Sequence, residues 1–451
     1  MKRMKKLLAA MLVFSMVVTC FTAMDFTSHA EERFTVKNVI FMIGDGMGDG
    51  AIAAGRMKRE TLYLDGIERF GYLNTNNVKD GTTDSAAGGT ALATGFKTTN
   101  GTVGLDKDGA VLENLGEWMK LKGKKLGIVS SAYVVDATPA TFSAHTTKRE
   151  NYADIAKCMV DLGVDVILGG GSGQFNNNIN TGTTSIPGID YAKTVGGYQY
   201  VTNKAELEAV TSGKVLGLFS ASSMRYPSAK PETEPNLAEL TEKTLSLLEN
   251  DNGFFAMIEG GRIDTASHNN EAENLKDAMV EFDDAIKVAL DYADTHEGTL
   301  IVITADHETG GVGMSAGTSG HQVTFKSKDH TSDPVPYYVY GAGVEHFKGL
   351  NDNTQIAPAI KDAVTKGSIT NSGGKGSGED DEMDDSWLIA LLEEEALYAS
   401  SSPDGNAAGN GTQIPPTGDN SIPFLWLALF GICGGVIVAS TIYRRKKHNC
   451  A

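Results

Sequence analysis

Ser85 lies in Thr83-Asp84-Ser85-Ala86-Ala87-Gly88-Gly89-Thr90-Ala91, among small residues just ahead of a helical pattern. Small neighbours leave the hydroxyl uncovered. A helix starting here would aim free backbone N–H groups and the positive end of its dipole at an arriving phosphate, and the chemistry on offer is nucleophilic attack. The bland alternative is a cap, since Asp-Ser before a helix commonly closes its first turn. Other groups bear on the choice. Asp45 follows one apolar run, Asp306 and His307 follow another in Thr304-Ala305-Asp306-His307-Glu308-Thr309-Gly310, and Asp264 and His268 stand four apart. That last spacing puts both on one helix face. Mixed carboxylate and imidazole ligands suit zinc, whereas carboxylate, hydroxyl and water suit magnesium. Singly, an Asp after a strand is usually a turn residue and a lone His is usually structural. Converging on one sheet edge, they indicate a metal centre.

The elements that must position them follow from hydropathy. Apolar runs at 39–43, 126–130, 164–168, 254–258, 300–304 and 336–340 read as strands, and 112–120, 236–248 and 274–292 as helices. This alternation is the pattern of an α/β fold, a large mainly parallel sheet with helices on both faces. In such sheets ligands gather beyond the carboxyl ends of the strands. Polar residues just after each strand are therefore the ones that matter.

At 451 residues, with 41% hydrophobic and 21% charged, the chain can bury a large core without disulfide staples. It opens with Lys2, Arg3, Lys5 and Lys6, an apolar stretch and Ser28-His29-Ala30, the layout of a signal peptide over residues 1–30. A lipoprotein would need Cys20 acylated, and Thr19 is bulky for the preceding position. The body is read as 31–370. An acidic and Gly/Ser-rich stalk follows over 371–413, with one apolar helical piece at 387–397. Then come Ile414-Pro415-Pro416-Thr417-Gly418, an apolar run over 422–443 and a basic tail over 444–451. A run of that length can span a bilayer with its basic flank in the cytoplasm.

Only Cys158 lies in the body, so no disulfide framework is available. The net charge of −18 understates the body's acidity, because four basic residues at each end stand against single aspartates, Asp25 and Asp419. Such a surface excludes general nucleic-acid binding and requires that an anionic substrate be attracted locally.

From about residue 38 to 364 the chain resembles the alkaline phosphatases. The resemblance is carried by Ile43-Gly44-Asp45-Gly46-Met47-Gly48, by Thr83-Asp84-Ser85-Ala86-Ala87 with Thr90-Ala91 and Thr94-Gly95, and by Asp136-Ala137-Thr138-Pro139-Ala140 with His145 and Arg149. It continues through 259–268, Thr304-Ala305-Asp306-His307 and His330-Thr331 ahead of Val335-Pro336. It implies hydrolysis of small phosphate monoesters, with Ser85 as nucleophile and Arg149 gripping two phosphate oxygens. It further implies two zinc ions, one on Asp264, His268 and His330 and one on Asp45, Asp306 and His307. Asp45 would bridge to a magnesium ion on Asp136, Thr138 and Glu259. His321 competes with His330, which is preferred because it precedes the Val-Pro strand. Zinc would lower the serine pKa, and the ions would hold the attacking and leaving oxygens.

The family is commonly dimeric, which makes a homodimer an expectation. Departures are Ser332, where many relatives have Gly, and Thr265, where some bacterial relatives have Lys. The segment 170–235 matches no motif. The C-terminal order resembles a sortase signal, implying cleavage between Thr417 and Gly418 and linkage to Gram-positive peptidoglycan, with a permanent membrane anchor as the alternative. Competing activities are a phosphodiesterase, phosphonate hydrolase or sulfatase on the same metal framework. An inactive surface adhesin would show losses among the ligand positions.

Overall fold

The computed structural model describes residues 34–317 and 320–369. The expected signal peptide, stalk, 387–397 helix, sorting motif, 422–443 span and basic tail lie outside the described residues. Among the described residues no helix is long and apolar enough to cross a membrane.

In chain order the strands are β1 (Asn38–Ile43), β2 (Arg69–Leu73), β3 (Lys125–Tyr133), β4 (Val166–Gly170), β5 (Asn178–Asn180), β6 (Ser185–Pro187), β7 (Gln199–Val201) and β8 (Val215–Leu218). They continue with β9 (Phe254–Glu259), β10 (Thr299–Thr304), β11 (Glu308–Thr309), β12 (Gly313–Gly317), β13 (Gly320–Thr324), β14 (His330–Thr331) and β15 (Val335–Gly341). Nine form one sheet in the order β2-β15-β10-β1-β9-β3-β4-β8-β7. From β10 to β7 all neighbours are parallel. The pairings of β15 with β10 and β2 are antiparallel. A parallel return needs a crossover of a dozen or more residues, usually a helix. The described chain between β10 and β15 holds only β11 to β14, so β15 comes back antiparallel.

The central strand β1 is buried along its whole length, as expected of a continuous apolar run covered on both faces. On one face Phe41 and Phe255 pack on the Phe142 ring, at centroid distances of 5.6 and 5.9 Å. The helix Leu115–Leu121 closes on the same residue, where a Cβ on Gly116 would fall 1.9 Å from the Phe142 carbonyl oxygen. On the other face Gly127 leaves room for the helix Leu237–Leu248; a Cβ there would lie 2.7 Å from Leu248. The mainly parallel sheet with helices on both faces is therefore present.

Element ends differ from the sequence reading for local reasons. Asn114 caps the Glu117 N–H and Glu117 caps back, so the 112–120 helix starts at Leu115. Asn236 is likewise a cap. The 164–168 strand is shifted to β4, because the Val164 N–H closes the preceding turn on Met159 while Gly169 fits against the Ser130 carbonyl. The long helix runs over Ala272–Thr295, beyond 274–292 at both ends. The unassigned 170–235 segment contains β5 to β8, two of which extend the sheet.

Candidate active site

Three adjacent strands deliver the acidic group. Ile43 of β1 lies in register with Glu259 of β9 on one side and Thr304 of β10 on the other. Asp45, Glu259 and Asp306 consequently emerge side by side. Glu259, Asp306 and His307 are fully buried, and Asp45 nearly so. Thr138 donates to Asp306 Oδ2 at 3.3 Å and to Asp45 Oδ2 at 3.4 Å. The N–H groups of Gly46 and His307 donate to Asp306 Oδ1, and Ser130 donates to Glu259. Burial pushes Asp45 well above the usual carboxylate range, with Asp306 repelling it further. Burial also lifts Asp306 and Asp136, and takes Glu259 to about 8. Asp45 Oδ1 and Glu259 Oε1 are buried without a hydrogen-bond partner. Such a donor set lacks positive charge, and a divalent cation fits it.

The histidines converge beside it. His330 Nδ1 donates to the Thr83 carbonyl at 2.8 Å, and His268 Nδ1 donates to that of Lys328. Each carbonyl fixes a proton on Nδ1, so that in the neutral imidazole it is Nε2 that carries the lone pair. These Nε2 atoms face each other at 3.0 Å and lie 3.3 Å (His268) and 3.6 Å (His330) from Asp264 Oδ1. Thr309 gives its one proton to Asp264 at 2.6 Å, so it accepts from His307 Nδ1 at 3.2 Å. His307 Nε2 is therefore also a lone pair, 3.3 Å from Asp306 Oδ2 and 3.5 Å from Asp45 Oδ1. Burial, reinforced by neighbouring His330, holds the His307 pKa well below the ordinary imidazole value. Among the described residues two groups have the spacing of a metal site, Asp45 with Asp306 and His307, and Asp264 with His307 and His330.

Ser85 is the first residue of the helix Ser85–Thr94, and its Oγ lies 3.1 Å from His307 Nε2. The capping role falls to Asp84, whose Oδ1 accepts from the Ala87 N–H at 3.0 Å. All ten residues of this helix are buried. Its glycines allow that depth: a Cβ on Gly88 would sit 2.6 Å from the Asp306 carbonyl oxygen, and one on Gly89 2.9 Å from Thr141 Oγ1. The small-residue run is thus a packing requirement of a helix wedged against the chain just past the end of β10, at Asp306.

Arg149 donates to Asp84 Oδ2 and to Asp136 Oδ1, both at 3.2 Å. The carboxylates of Asp136, Asp84 and Asp45 raise its pKa against the opposing effect of burial. Its backbone is strapped down, Arg149 N–H to the Gly101 carbonyl and Thr146 to Val103 in both directions, each at 2.9 Å. His145 anchors the strap, with Nε2 2.7 Å from Glu117 Oε1 and Nδ1 2.8 Å from the Gly104 carbonyl.

Of the two competing histidines, His330 meets His268 and Asp264, whereas His321 is exposed on the β12–β13 hairpin opposite Ala316. Thr265 bonds back to the Gly261 carbonyl at 3.4 Å, and Ser332 meets Thr82 at 2.8 Å. Sequence reasoning missed Ser130, Glu308 and Thr309, and the hold of Asp84 on Arg149. Buried Glu308 accepts from Thr331 and from the Gly311 and Val312 N–H groups, tying β11 to β14 and so His307 to His330. The one available signal was position, since Glu308 and Thr309 directly follow His307.

Comparison with known proteins agrees with this geometry. The family described as alkaline phosphatase matches residues 36–321. Alkaline phosphatase 4 of Bacillus subtilis (strain 168) is 30% identical over 417 residues, covering 73% of this chain and 89% of that protein. Among solved structures, the alkaline phosphatase of the Antarctic bacterium TAB5 superposes with a TM-score of 0.68 at 29% identity, covering 73% of this chain and 99% of that one. A variant of the TAB5 enzyme, with a TM-score of 0.67 and 29% identity over 75% of this chain and 100% of that one, was solved with magnesium bound. On this fold, this strand-end geometry and these matches, the chain belongs to the alkaline phosphatase family.

Proposed function

We propose that this protein hydrolyses phosphate monoesters to an alcohol and inorganic phosphate through a phosphoserine at Ser85. The observation that carries this reading is Ser85 Oγ standing 3.1 Å from the His307 Nε2 lone pair, at a helix start whose Asp84 cap also holds Arg149. We assign zinc to Asp264, His268 and His330, a second zinc to Asp45, Asp306 and His307, and magnesium to Asp45, Asp136, Thr138 and Glu259. When bound, these ions supply the charge that the buried carboxylates lack and lower the pKa of oxygens beside them.

The chain's own groups do the rest. Arg149, with two N–H groups held by Asp84 and Asp136, turns its remaining donors to phosphate oxygens in a planar fork that Lys could not match. The early N–H groups of the Ser85–Thr94 helix add dipole attraction for the same anion. Ser85 Oγ bonds to phosphorus as the ester oxygen departs with the alcohol. Water oxygen then replaces Oγ, returning the serine and releasing phosphate, so that one water is added across one P–O bond.

The chain ends support an exported enzyme joined to peptidoglycan by a sortase cutting between Thr417 and Gly418, with residues 422–443 as a membrane anchor otherwise. A homodimer accords with the family. The deciding assay compares p-nitrophenyl phosphate, its bis-ester and p-nitrophenyl sulfate, using the parent and Ser85→Ala. Turnover of the monoester that disappears in Ser85→Ala supports the proposal. Preference for the diester or sulfate, or full activity in the variant, overturns it.

A further inference from the structure

Among the described residues five arginines lie against carboxylates: Arg56 on Asp65, Arg59 on Asp283 and Asp284, Arg69 on Asp49, Arg149 on Asp84 and Asp136, and Arg225 on Glu234. Arg262 has no such partner among the described residues, although the whole chain carries a net charge of −18. It is the first residue of the helix Arg262–Asn269, which also holds Asp264 and His268. Its guanidinium lies over the Tyr226 ring, 3.9 Å from the centroid, and its Nε is shielded from solvent with no acceptor. Tyr226 is only 9% exposed, and its buried hydroxyl has no partner other than the Arg262 guanidinium.

Burial, opposed by Arg262 and assisted by Glu271 and Asp264, pushes that phenol up to about 12, so it stays protonated and able to donate. Glu271 is itself occupied with Asn274 at 2.7 Å. Stacking on an aromatic ring fixes the guanidinium plane while leaving its edge N–H groups free, an arrangement suited to a planar or tetrahedral anion.

We propose that Arg262 and Tyr226 form a second anion subsite, which takes a carboxylate or a further phosphate carried on the leaving alcohol of the substrate. The assignment rests on the phosphomonoesterase reading, in which Asp264, His268 and His330 serve the leaving-group side. Substrates with two anionic groups are then preferred over otherwise similar esters with a neutral alcohol.

The test measures kcat/KM for two matched pairs on the full chain supplied with zinc and magnesium. One pair is 3-phosphoglycerate against glycerol 3-phosphate, and the other is fructose 1,6-bisphosphate against fructose 6-phosphate. In the parent the anionic member is favoured in at least one pair, which also tells a carboxylate ligand from a phosphate. That preference weakens between 50 and 500 mM KCl. Arg262→Met lowers the selectivity ratio about tenfold, the scale of one lost charge-assisted hydrogen bond. Arg262→Lys and Tyr226→Phe lower it about threefold, and they carry the test should the methionine variant fail to fold by circular dichroism. Ratios unchanged within twofold in the folded variants overturn this subsite alone. Failure of the parent to hydrolyse any of the four esters overturns the phosphatase reading and the subsite with it.

Discussion

His268 and His330 face each other with their Nε2 atoms 3.0 Å apart, while each Nδ1 is committed to a backbone carbonyl. With both rings neutral, two Nε2 lone pairs meet the Asp264 carboxylate, and the proposed zinc ion is what would stabilise this corner. Treatment with a chelator is expected to abolish phosphatase activity and to lower Tm, and added zinc with magnesium to restore both. His330→Ala should lose about one zinc per chain by metal analysis, whereas His321→Ala should keep the parent's content. The reverse result would transfer the ligand role to the hairpin histidine.

Removing the Ser85 hydroxyl takes away the proposed nucleophile without touching the sheet. Ser85→Ala should drop kcat by about a thousandfold or more, leave Tm within a few degrees and take up no label from radioactive phosphate. Stable labelling of the variant would place the covalent step elsewhere.

For Arg149 the relevant measurement is inhibition by inorganic phosphate. Lysine keeps the charge but loses the fork, and charge-assisted bonds of about 1.5–3 kcal/mol translate into a weakening of roughly ten- to a hundredfold in Arg149→Lys. An unchanged inhibition constant would show that Asp84 and Asp136 hold the guanidinium for structural purposes only.

His145 gives a pH test. Both of its partners accept, Glu117 Oε1 and the Gly104 carbonyl, so both ring nitrogens carry protons. Burial works against that state, yet Glu117 and then Gly104 raise the imidazole pKa above the ordinary 6.5. A raised pKa means the stabilisation is complete below the unfolded value and lost as pH climbs through the folded one. Glu117, held low by His145 and Asn114 despite burial, loses its share only as pH falls below the ordinary 4.5. The Tm gap between the parent and His145→Gln should therefore be widest near pH 6 and narrow toward pH 10. A gap that is constant with pH would deny the imidazolium its part in the strap.

Gly88 tests the wedge. A Cβ 2.6 Å from the Asp306 carbonyl oxygen must push the helix or the strand end aside. Gly88→Ala is expected to cost about 1–3 kcal/mol, seen as a lower Tm, together with a fall in kcat as Ser85 moves.

The sheet was legible at its long central strands, but not at β8, a buried interior strand of only four residues (VLGL). NVIFMI of β1 and FFAMIE of β9 are nearly unbroken apolar runs that only a central strand tolerates. Edge strands were not, because β2 is RFGYL with four of its five residues at least partly exposed, and β7 has three residues. Direction was equally hidden, since β15 has the same apolar pattern whichever way it runs. The residues placed at strand ends were legible because emergence from a parallel sheet fixes them. Ser130, Glu308 and Thr309, and the grip of Asp84 on Arg149, were not, because the task there is to hold another side chain across the fold, and nothing in the local spacing records that.

The order of pairing in the sheet also governs when the centre can exist. Val39 of β1 pairs with Phe255 and Leu300, and Ser85 meets a histidine 222 residues further on. A ribosome that has finished the serine-bearing helix has not yet made either strand that will flank β1, and the histidine at the start of β14 comes later still. Premature termination anywhere before that histidine yields a chain lacking one residue of the proposed metal site, so on the proposed mechanism enzymatic turnover would report that synthesis has passed it.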